Sequence, residues 1–68
     1  MVDMQPVRSS NVAAVGYEDG VLYVEFLNGG TYAYDGVDES TYQALAASPS
    51  PGSYLAKNIK GRFEGRRV

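Results

Sequence analysis

The side chains in this sequence that could do chemistry are aromatic rings and basic groups. Six tyrosines and two phenylalanines make aromatic residues 12% of a 68-residue chain. Unpaired bases stack on such rings, and lysine and arginine hold the neighbouring phosphates. We therefore take as a candidate nucleic-acid-binding set three tyrosines for stacking and three basic residues for phosphate contacts: Tyr23, Tyr32, Tyr34, Lys57, Lys60 and Arg62. The simpler alternative is that the rings fill the core of a small domain and leave their hydroxyls at its wet rim.

Charge is distributed unevenly along the chain, although the net charge is only −2. Residues 1–56 carry one base, Arg8, against seven acids, whereas residues 57–68 carry five bases against Glu64. The first segment thus has a net charge of −6 and the second a net charge of +4. Coulomb attraction acts within a Debye length of about 8–10 Å, so a polyanion could bind the basic end of an acidic molecule. A solvated basic tail is the simpler alternative.

Catalysis and metal binding have few suitable side chains here. The chain has no Cys, His or Trp, which excludes thiol nucleophiles, imidazole bases and the usual zinc and haem ligands. Ser9, Ser10 and Thr41 therefore have no base partner. The acids at positions 35, 38 and 39 lack the spacing of a calcium loop. We predict a protein that is not an enzyme, with no catalytic residue, no metal site and no cofactor.

Three short segments rich in valine, tyrosine and phenylalanine predict strands. They cover residues 12–18, 21–27 and 30–35, and Asp19-Gly20 and Asn28-Gly29-Gly30 separate them. Asp-Gly and Asn-Gly adopt positive φ readily and favour tight hairpins, so the pattern predicts a three-stranded antiparallel meander. A two-residue loop at Asp19-Gly20 fixes the register of the first hairpin as follows: Glu18 with Val21, Tyr17 with Leu22, Val15 with Val24 and Ala13 with Phe26.

The second turn admits two registers that place the tyrosine pair on opposite faces of the sheet. A two-residue loop at positions 28–29 puts Tyr32 and Tyr34 on the face away from the apolar residues. A three-residue loop at positions 28–30, with a glycine bulge, pairs Phe26 with Tyr32 and puts both tyrosines on the apolar side. We favour the second register, because a small domain can hardly leave two large rings in water.

Helical spacing replaces strand alternation after Gly36. A first helix with Asp38 as its cap is expected to end near Ser48, before Pro49. A second short helix is expected after the Ser/Pro-rich segment 48–53. The predicted fold class is α+β: a three-stranded antiparallel β-meander covered on one face by two short helices. Residues 1–8 are predicted to form a flexible N-terminal arm and residues 9–68 the domain, in which residues 62–68 are either strand-like or frayed.

We expect no signal peptide, because residues 1–11 have no basic segment followed by an apolar one, and no apolar run in the sequence is longer than four residues. We therefore expect no membrane-spanning segment and no membrane partner. The absence of cysteine matches a reducing compartment, which predicts a cytoplasmic protein.

The order of these segments resembles the KTSC domain family, which is named after a C-terminal extension of some lysyl-tRNA synthetases and also occurs as small stand-alone bacterial and phage proteins. The matching segments are Ser9-Ser10-Asn11-Val12, Val15-Gly16-Tyr17, Leu22-Tyr23-Val24-Glu25-Phe26, Asn28-Gly29, Tyr32-Ala33-Tyr34, Gly36-Val37, Tyr42, Leu45, Gly52-Ser53-Tyr54-Leu55 and Asn58-Ile59-Lys60. The most specific element is the Tyr-x-Tyr pair followed by Gly-Val and a short helix. Asp38 and Ala33 depart from the family pattern, in which proline and a basic residue are common. The resemblance implies no established activity and no catalytic residues, and it suggests RNA binding from the synthetase context.

Two functional classes follow from these observations. The first is a non-enzymatic binding module for RNA or single-stranded nucleic acid. The alternative is a protein-interaction or phage-type inhibitor module that binds a protein or small-molecule partner through an exposed apolar or acidic patch. The acidic composition favours the alternative, because nucleic-acid-binding proteins are usually basic. Titration with an oligonucleotide at two salt concentrations separates the two classes.

Overall fold

The computed structural model describes residues 2–68, and its centre is an antiparallel sheet of five strands. Each strand pairs with the next one in the sequence, in the order β1 (Gln5–Pro6), β2 (Val12–Glu18), β3 (Val21–Phe26), β4 (Thr31–Asp35) and β5 (Gly65–Arg67). The helices lie between β4 and β5 in the chain: α1 (Glu39–Ala47), then α2 (Pro51–Tyr54), which continues into a π-helical turn (Leu55–Ile59). The predicted α+β class is confirmed.

The prediction of a three-stranded meander is wrong in the number of strands, because β1 and β5 extend the sheet at its two edges. β1 has two residues and includes Pro6, and β5 is a Gly-Arg-Arg segment whose three residues are all exposed. Neither strand shows the alternation of apolar and polar residues that marks a strand in a sequence. β1 falls within residues 1–8, whose flexibility stays a prediction, and Met1 lies outside the described residues.

The first hairpin has the predicted turn and most of the predicted register. Asp19 and Gly20 both have positive φ, 53° and 78°, as a tight two-residue hairpin loop requires. The pairs that involve Glu18, Tyr17 and Val15 are confirmed. The predicted pairing of Ala13 with Phe26 is wrong, because a bulge between Val12 and Ala14 lets Val12 pair with Phe26. The extra residue turns Val12 inward, where it is only 1% exposed.

The second hairpin confirms the predicted face but not the predicted partners. The Phe26 N–H donates to the Gly30 carbonyl at 2.8 Å, and the Gly29 N–H donates to the Phe26 carbonyl at 2.9 Å. The three-residue loop therefore spans positions 27–29, one position earlier than predicted, with Gly29 at φ 98°. Tyr32 pairs with Val24, so the register differs from the predicted one by two residues. A shift of two residues keeps every side chain on its face, and the tyrosine pair lies on the apolar side.

α1 begins and ends where the sequence predicts. Asp38 precedes its first turn in an extended conformation, with φ −80° and ψ 157°. The Asp38 carboxylate accepts hydrogen bonds from the hydroxyls of Ser40 and Thr41 and not from a backbone N–H of the first turn. The helix ends at Ala47, and Ser48 is already extended, as expected before a proline.

The second helical segment contains a widened turn. The Lys60 N–H donates to the Leu55 carbonyl at 2.9 Å, a step of five residues where an α-helix takes four. Leu55 and Ile59 point into the core and are 1% and 0% exposed. Lys60, the first residue after the π-helical turn, lies above the ring of Phe26, next to the β3–β4 turn. The widened turn thus brings a basic residue to the edge of the core.

The core lies between one face of the sheet and the helical segments. Its fully buried side chains come from both layers: Val12, Val15, Leu22, Val24, Val37, Leu45, Leu55 and Ile59. Tyr17 connects the layers, because its hydroxyl donates to the Val37 carbonyl at 2.6 Å and its ring stacks on that of Tyr42. Across residues 2–68, no helix has the length and apolar character needed to cross a membrane.

Candidate functional site

One concave site combines aromatic rings with a basic group, and we call it the aromatic groove. It lies where the end of β3, the β3–β4 turn and β4 meet the residue after the π-helical turn. The cavity has a volume of about 360 Å³ and is lined by Phe26, Asn28, Tyr32, Tyr34 and Lys60. Pockets for small organic ligands have volumes of about 300–1,000 Å³, so this groove is large enough for one flat ring system.

Two half-buried rings of the groove stand nearly at right angles. The centroids of Phe26 and Tyr32 are 5.8 Å apart, and the ring planes make an angle of 81°. This edge-to-face arrangement is favourable for two aromatic quadrupoles. The Lys60 Nζ lies 5.3 Å from the centroid of Phe26, within the range of a cation–π interaction. A flat ligand in the groove would therefore contact an aromatic ring beside an ammonium group.

The two tyrosines of β4 occupy different depths. Tyr34 pairs with Leu22 near the centre of the sheet and is 5% exposed, so it forms the floor of the groove. Tyr32 pairs with Val24, closer to the hairpin, and is half-buried. Strand alternation puts both rings on the same face, but only Tyr32, which is nearer the β3–β4 turn, lies at the edge of the core.

The environment of Tyr34 keeps its phenol neutral. Burial raises the pKa of Tyr34 above the ordinary value of 10.0, and the nearby phenol of Tyr32 adds to the shift. A phenol with a pKa of 10.0 or above is protonated at neutral pH, so the Tyr34 hydroxyl can both donate and accept a hydrogen bond. Among the residues that line the groove, Lys60 alone carries a charge. The groove thus offers one positive charge and neutral polar groups.

A smaller space of about 160 Å³, which we call the side cavity, adjoins the groove. Asn28 and Tyr32 line both spaces, and Gly30 and Arg67 complete the side cavity. Arg67 reaches it because β5 pairs Arg67 with Tyr32. The neighbouring Arg66 points to the other face of the sheet and forms an ion pair with Asp35.

The structure brings together three of the six residues in the predicted binding set. Tyr32, Tyr34 and Lys60 line the groove. Tyr23 lies on the opposite face of the sheet, between Gly16 and Ala33 of the adjacent strands. Lys57 and Arg62 lie outside the groove: Lys57 is exposed on the π-helical turn, and the Arg62 guanidinium lies 5.7 Å from the ring centroid of Phe63. The six residues therefore do not form a single surface.

Apart from Gly30, three residues that line the two cavities were missed by the sequence analysis as members of a site. Phe26 was assigned to the core, Asn28 to turn chemistry, and Arg67 to a tail of undecided structure. The pairing of β4 with β5 brings Arg67 to Tyr32. No local pattern in the Gly-Arg-Arg segment predicts that pairing. The Asn28 side chain could have been found, because asparagine in a tight turn commonly binds the backbone and holds its amide in place.

A second cleft, of about 410 Å³, lies between the loop before β2 and the start of α2. Arg8, Ser9, Ser50 and Ser53 are among its polar residues. The Ser9 hydroxyl donates to Asn11 Oδ1 at 2.9 Å and accepts from the Val12 N–H at 3.2 Å. These bonds give Ser9 a structural role in the loop. Within residues 2–68, no three acidic side chains approach one another closely enough to hold a metal ion.

Comparison with known proteins identifies the family. Residues 8–63 match the family model of the KTSC domain. The chain belongs to the KTSC domain family. A protein of Tsukamurella paurometabola is 37% identical to it over 62 residues, which cover 88% of this chain and 92% of that protein. The crystal structure of the KTSC domain protein YPO2434 from Yersinia pestis superposes with a TM-score of 0.93, at 36% identity, over 100% of this chain and 99% of that one. The five residues of the aromatic groove lie within the matched KTSC segment, whereas Arg67 lies beyond it.

Proposed function

We propose that this KTSC domain is a non-enzymatic binding module for single-stranded nucleic acid, RNA foremost, and that the aromatic groove is its contact surface. The observation that carries the proposal is the meeting of Phe26, Tyr32 and the Lys60 ammonium in one cavity. Stacking of a base on an aromatic side chain contributes about 1–3 kcal/mol and tolerates any base. A cation beside the ring provides the contact that the neighbouring phosphate needs.

The structure supports different roles for the tyrosines from those expected on sequence grounds alone. Tyr32 and Phe26 are half-buried, so part of each side chain remains accessible to a base. Tyr34, at 5% exposure, can offer only its hydroxyl. Lys57 and Arg62 act at longer range, because exposed charges raise the local concentration of a polyanion without touching it. Tyr23 takes no part in this site.

Titration with a fluorescently labelled single-stranded RNA, followed by anisotropy at about 50 and 200 mM salt, tests the proposal. We expect binding at the lower salt concentration that weakens as salt is added. The logarithmic slope should be about −0.7 for each phosphate contact on a single strand. No change in anisotropy at the lower salt concentration would refute nucleic-acid binding.

Lys57 provides a matched control for Lys60, because both are exposed lysines of the same helical segment and Lys60 alone lines the groove. Lys60→Gln should weaken RNA binding about fivefold, since an exposed charge pair contributes up to about 1 kcal/mol. Lys57→Gln removes the same charge away from the groove and should change the affinity by less than about twofold. Equal losses in both variants would mean that the basic end acts as a diffuse patch, and the groove would not be the contact.

A protein partner is the second candidate, and the exposure of one apolar side chain favours it. Leu27, at the tip of the β3–β4 turn, is 59% exposed. An exposed leucine within the acidic segment 1–56 is suited to a basic, apolar partner surface. Pull-down with nuclease-treated lysate separates this candidate from the first, because a protein partner should remain bound and Leu27→Ser should release it.

A further inference from the structure

We infer, on the basis of the proposed function, that the aromatic groove and the side cavity together bind one or two nucleotides of a single strand, as at a chain end, and not a continuous tract. The two spaces meet at Tyr32 and Asn28, which line both. Each space has one basic residue, Lys60 in the groove and Arg67 in the side cavity. The arrangement is therefore two phosphate contacts around one stacking ring.

The size of the two spaces limits what they can hold. The groove, at about 360 Å³, accommodates a base against Phe26 and Tyr32. The side cavity, at about 160 Å³, is less than half as large as the groove and suits a phosphate group next to Arg67. Among residues 2–68, no third basic residue lines either space. Further nucleotides of a longer strand would consequently lie outside both.

The surroundings give those further nucleotides no cationic track. Arg66 is held on the opposite face by its ion pair with Asp35, and neither Lys57 nor Arg62 lines the groove or the side cavity. Residues 1–56 carry a net charge of −6. Proteins that bind continuous single strands use a positively charged groove that follows the backbone, with several stacked bases. The acidic segment repels further phosphates wherever they come within a Debye length of about 8–10 Å of its carboxylates.

The polar groups of the site are arranged for a base with acceptor atoms. Asn28 Oδ1 accepts a hydrogen bond from the Gly30 N–H at 3.1 Å. This bond orients the side-chain amide of Asn28, whose nitrogen can donate two hydrogen bonds. The neutral hydroxyl of Tyr34 lies at the floor of the same groove. A base carbonyl or a phosphate oxygen can accept from the amide, so the turn that forms the hairpin also presents a donor to the ligand.

The dependence of binding on strand length tests the inference. Titrations with a 5′-phosphorylated dinucleotide, tetranucleotide and octanucleotide of one base, each at several salt concentrations, measure how many phosphates the protein contacts. Two contacts predict a slope of log affinity against log salt of about −1.4 for all three lengths. Because each strand has one phosphorylated end, the affinity should stay within about twofold from the dinucleotide to the octanucleotide. A slope that steepens to about −2.8 or beyond with the octanucleotide would overturn the inference and leave the proposed function standing.

The two adjacent arginines of β5 supply a matched pair of variants, because they point to opposite faces of the sheet. Arg67→Gln should reduce the slope from about −1.4 to about −0.7, since one phosphate contact is lost. Arg66→Gln should leave the slope unchanged. Equal changes in the two variants would overturn the assignment of Arg67 to the side cavity. A failure of all three oligonucleotides to bind would overturn the proposed function together with this inference.

Discussion

The docking of β5 against β4 can be tested with a single methyl group. Gly65 lies against the ring of Tyr34, and a Cβ added at Gly65 would meet the ring carbons Cδ2 and Cζ at 3.0 Å and would come closer still to Cε2. Tyr34 is 5% exposed and pairs with Leu22 on its other side, so the ring has little space into which it can move. All three residues of β5 are exposed. We therefore expect Gly65→Ala to displace β5 and to leave the tyrosine in place.

The size of the effect follows from the contacts that β5 makes. Overpacking of this kind typically costs about 1–3 kcal/mol. The ion pair between Arg66 and Asp35 adds little, because both side chains are more than half exposed. A chain of 68 residues has a total stability of about 3–10 kcal/mol. The variant should therefore fold, with a melting temperature lower by about 5–20 °C.

Thermal unfolding followed by circular dichroism measures this change, and Gly61→Ala is the control. A Cβ at Gly61 meets no atom within 4 Å, so this variant should melt within about 2 °C of the parent. Displacement of β5 also takes Arg67 away from the side cavity, so Gly65→Ala should lose the salt-dependent contribution of that arginine to RNA binding. Equal melting temperatures for the two variants would refute the tight packing of Gly65 on Tyr34.

Three further predictions concern the core and the two residues with shifted pKa values. Leu45→Ala should lower the free energy of unfolding in urea by about 2–5 kcal/mol, because Leu45 is 1% exposed and the substitution leaves a cavity; a loss below about 1 kcal/mol would contradict its place in the core. Hydrogen bonds from Ser40 and Thr41 lower the pKa of Asp38 below the ordinary 3.8, so the ionised carboxylate contributes fully to stability above pH 3.8 and this contribution is lost as the pH falls through the lower pKa of the folded state. Asp38→Asn should therefore make the free energy of unfolding less dependent on pH in the acid range. An unchanged pH dependence would contradict the shift. Burial raises the pKa of Tyr34 above 10.0, so the neutral phenol stabilises the fold up to pH 10 and this contribution disappears as the pH rises through the pKa of the folded state. Tyr34→Phe should reduce the loss of stability at alkaline pH. Ultraviolet absorbance of tyrosinate in the parent should show one phenol that ionises at a higher pH than the others.

The turns explain how far the sheet could be predicted from the sequence. Asp19-Gly20 is compatible with one short loop, in which both residues have positive φ, and the register beside this loop was predicted correctly from Glu18 to Val15. Asn28-Gly29-Gly30 has two adjacent glycines, so the sequence does not determine at which residue the loop begins, and the loop was predicted one position too late. The tyrosine face was nevertheless right, because a loop of unchanged length that moves by one position shifts the pairing by two.

The bulge and the edge strands could not be predicted from hydrophobic pattern. Val12, Ala13, Ala14 and Val15 are all apolar, so alternation does not show which residue is extra. β1 and β5 bury little side-chain surface, and their place in the sheet depends on backbone hydrogen bonds to distant partners. Such pairing is a property of the assembled sheet, which is why Arg67 was missed as a neighbour of Tyr32.

The sequence leaves core packing and base stacking as rival interpretations of the tyrosines, but the structure separates them along one strand. β4 runs from the β3–β4 turn toward the centre of the sheet, so Tyr32 lies at the edge of the core and Tyr34 inside it. The π-helical turn ends at the same edge and brings Lys60 over Phe26. A ring held on one side by the core has little conformational freedom to lose when a ligand covers its other side. A domain too small to reserve a whole face for binding can thus use the rim of its own core, and any ligand bound there also stabilises the fold.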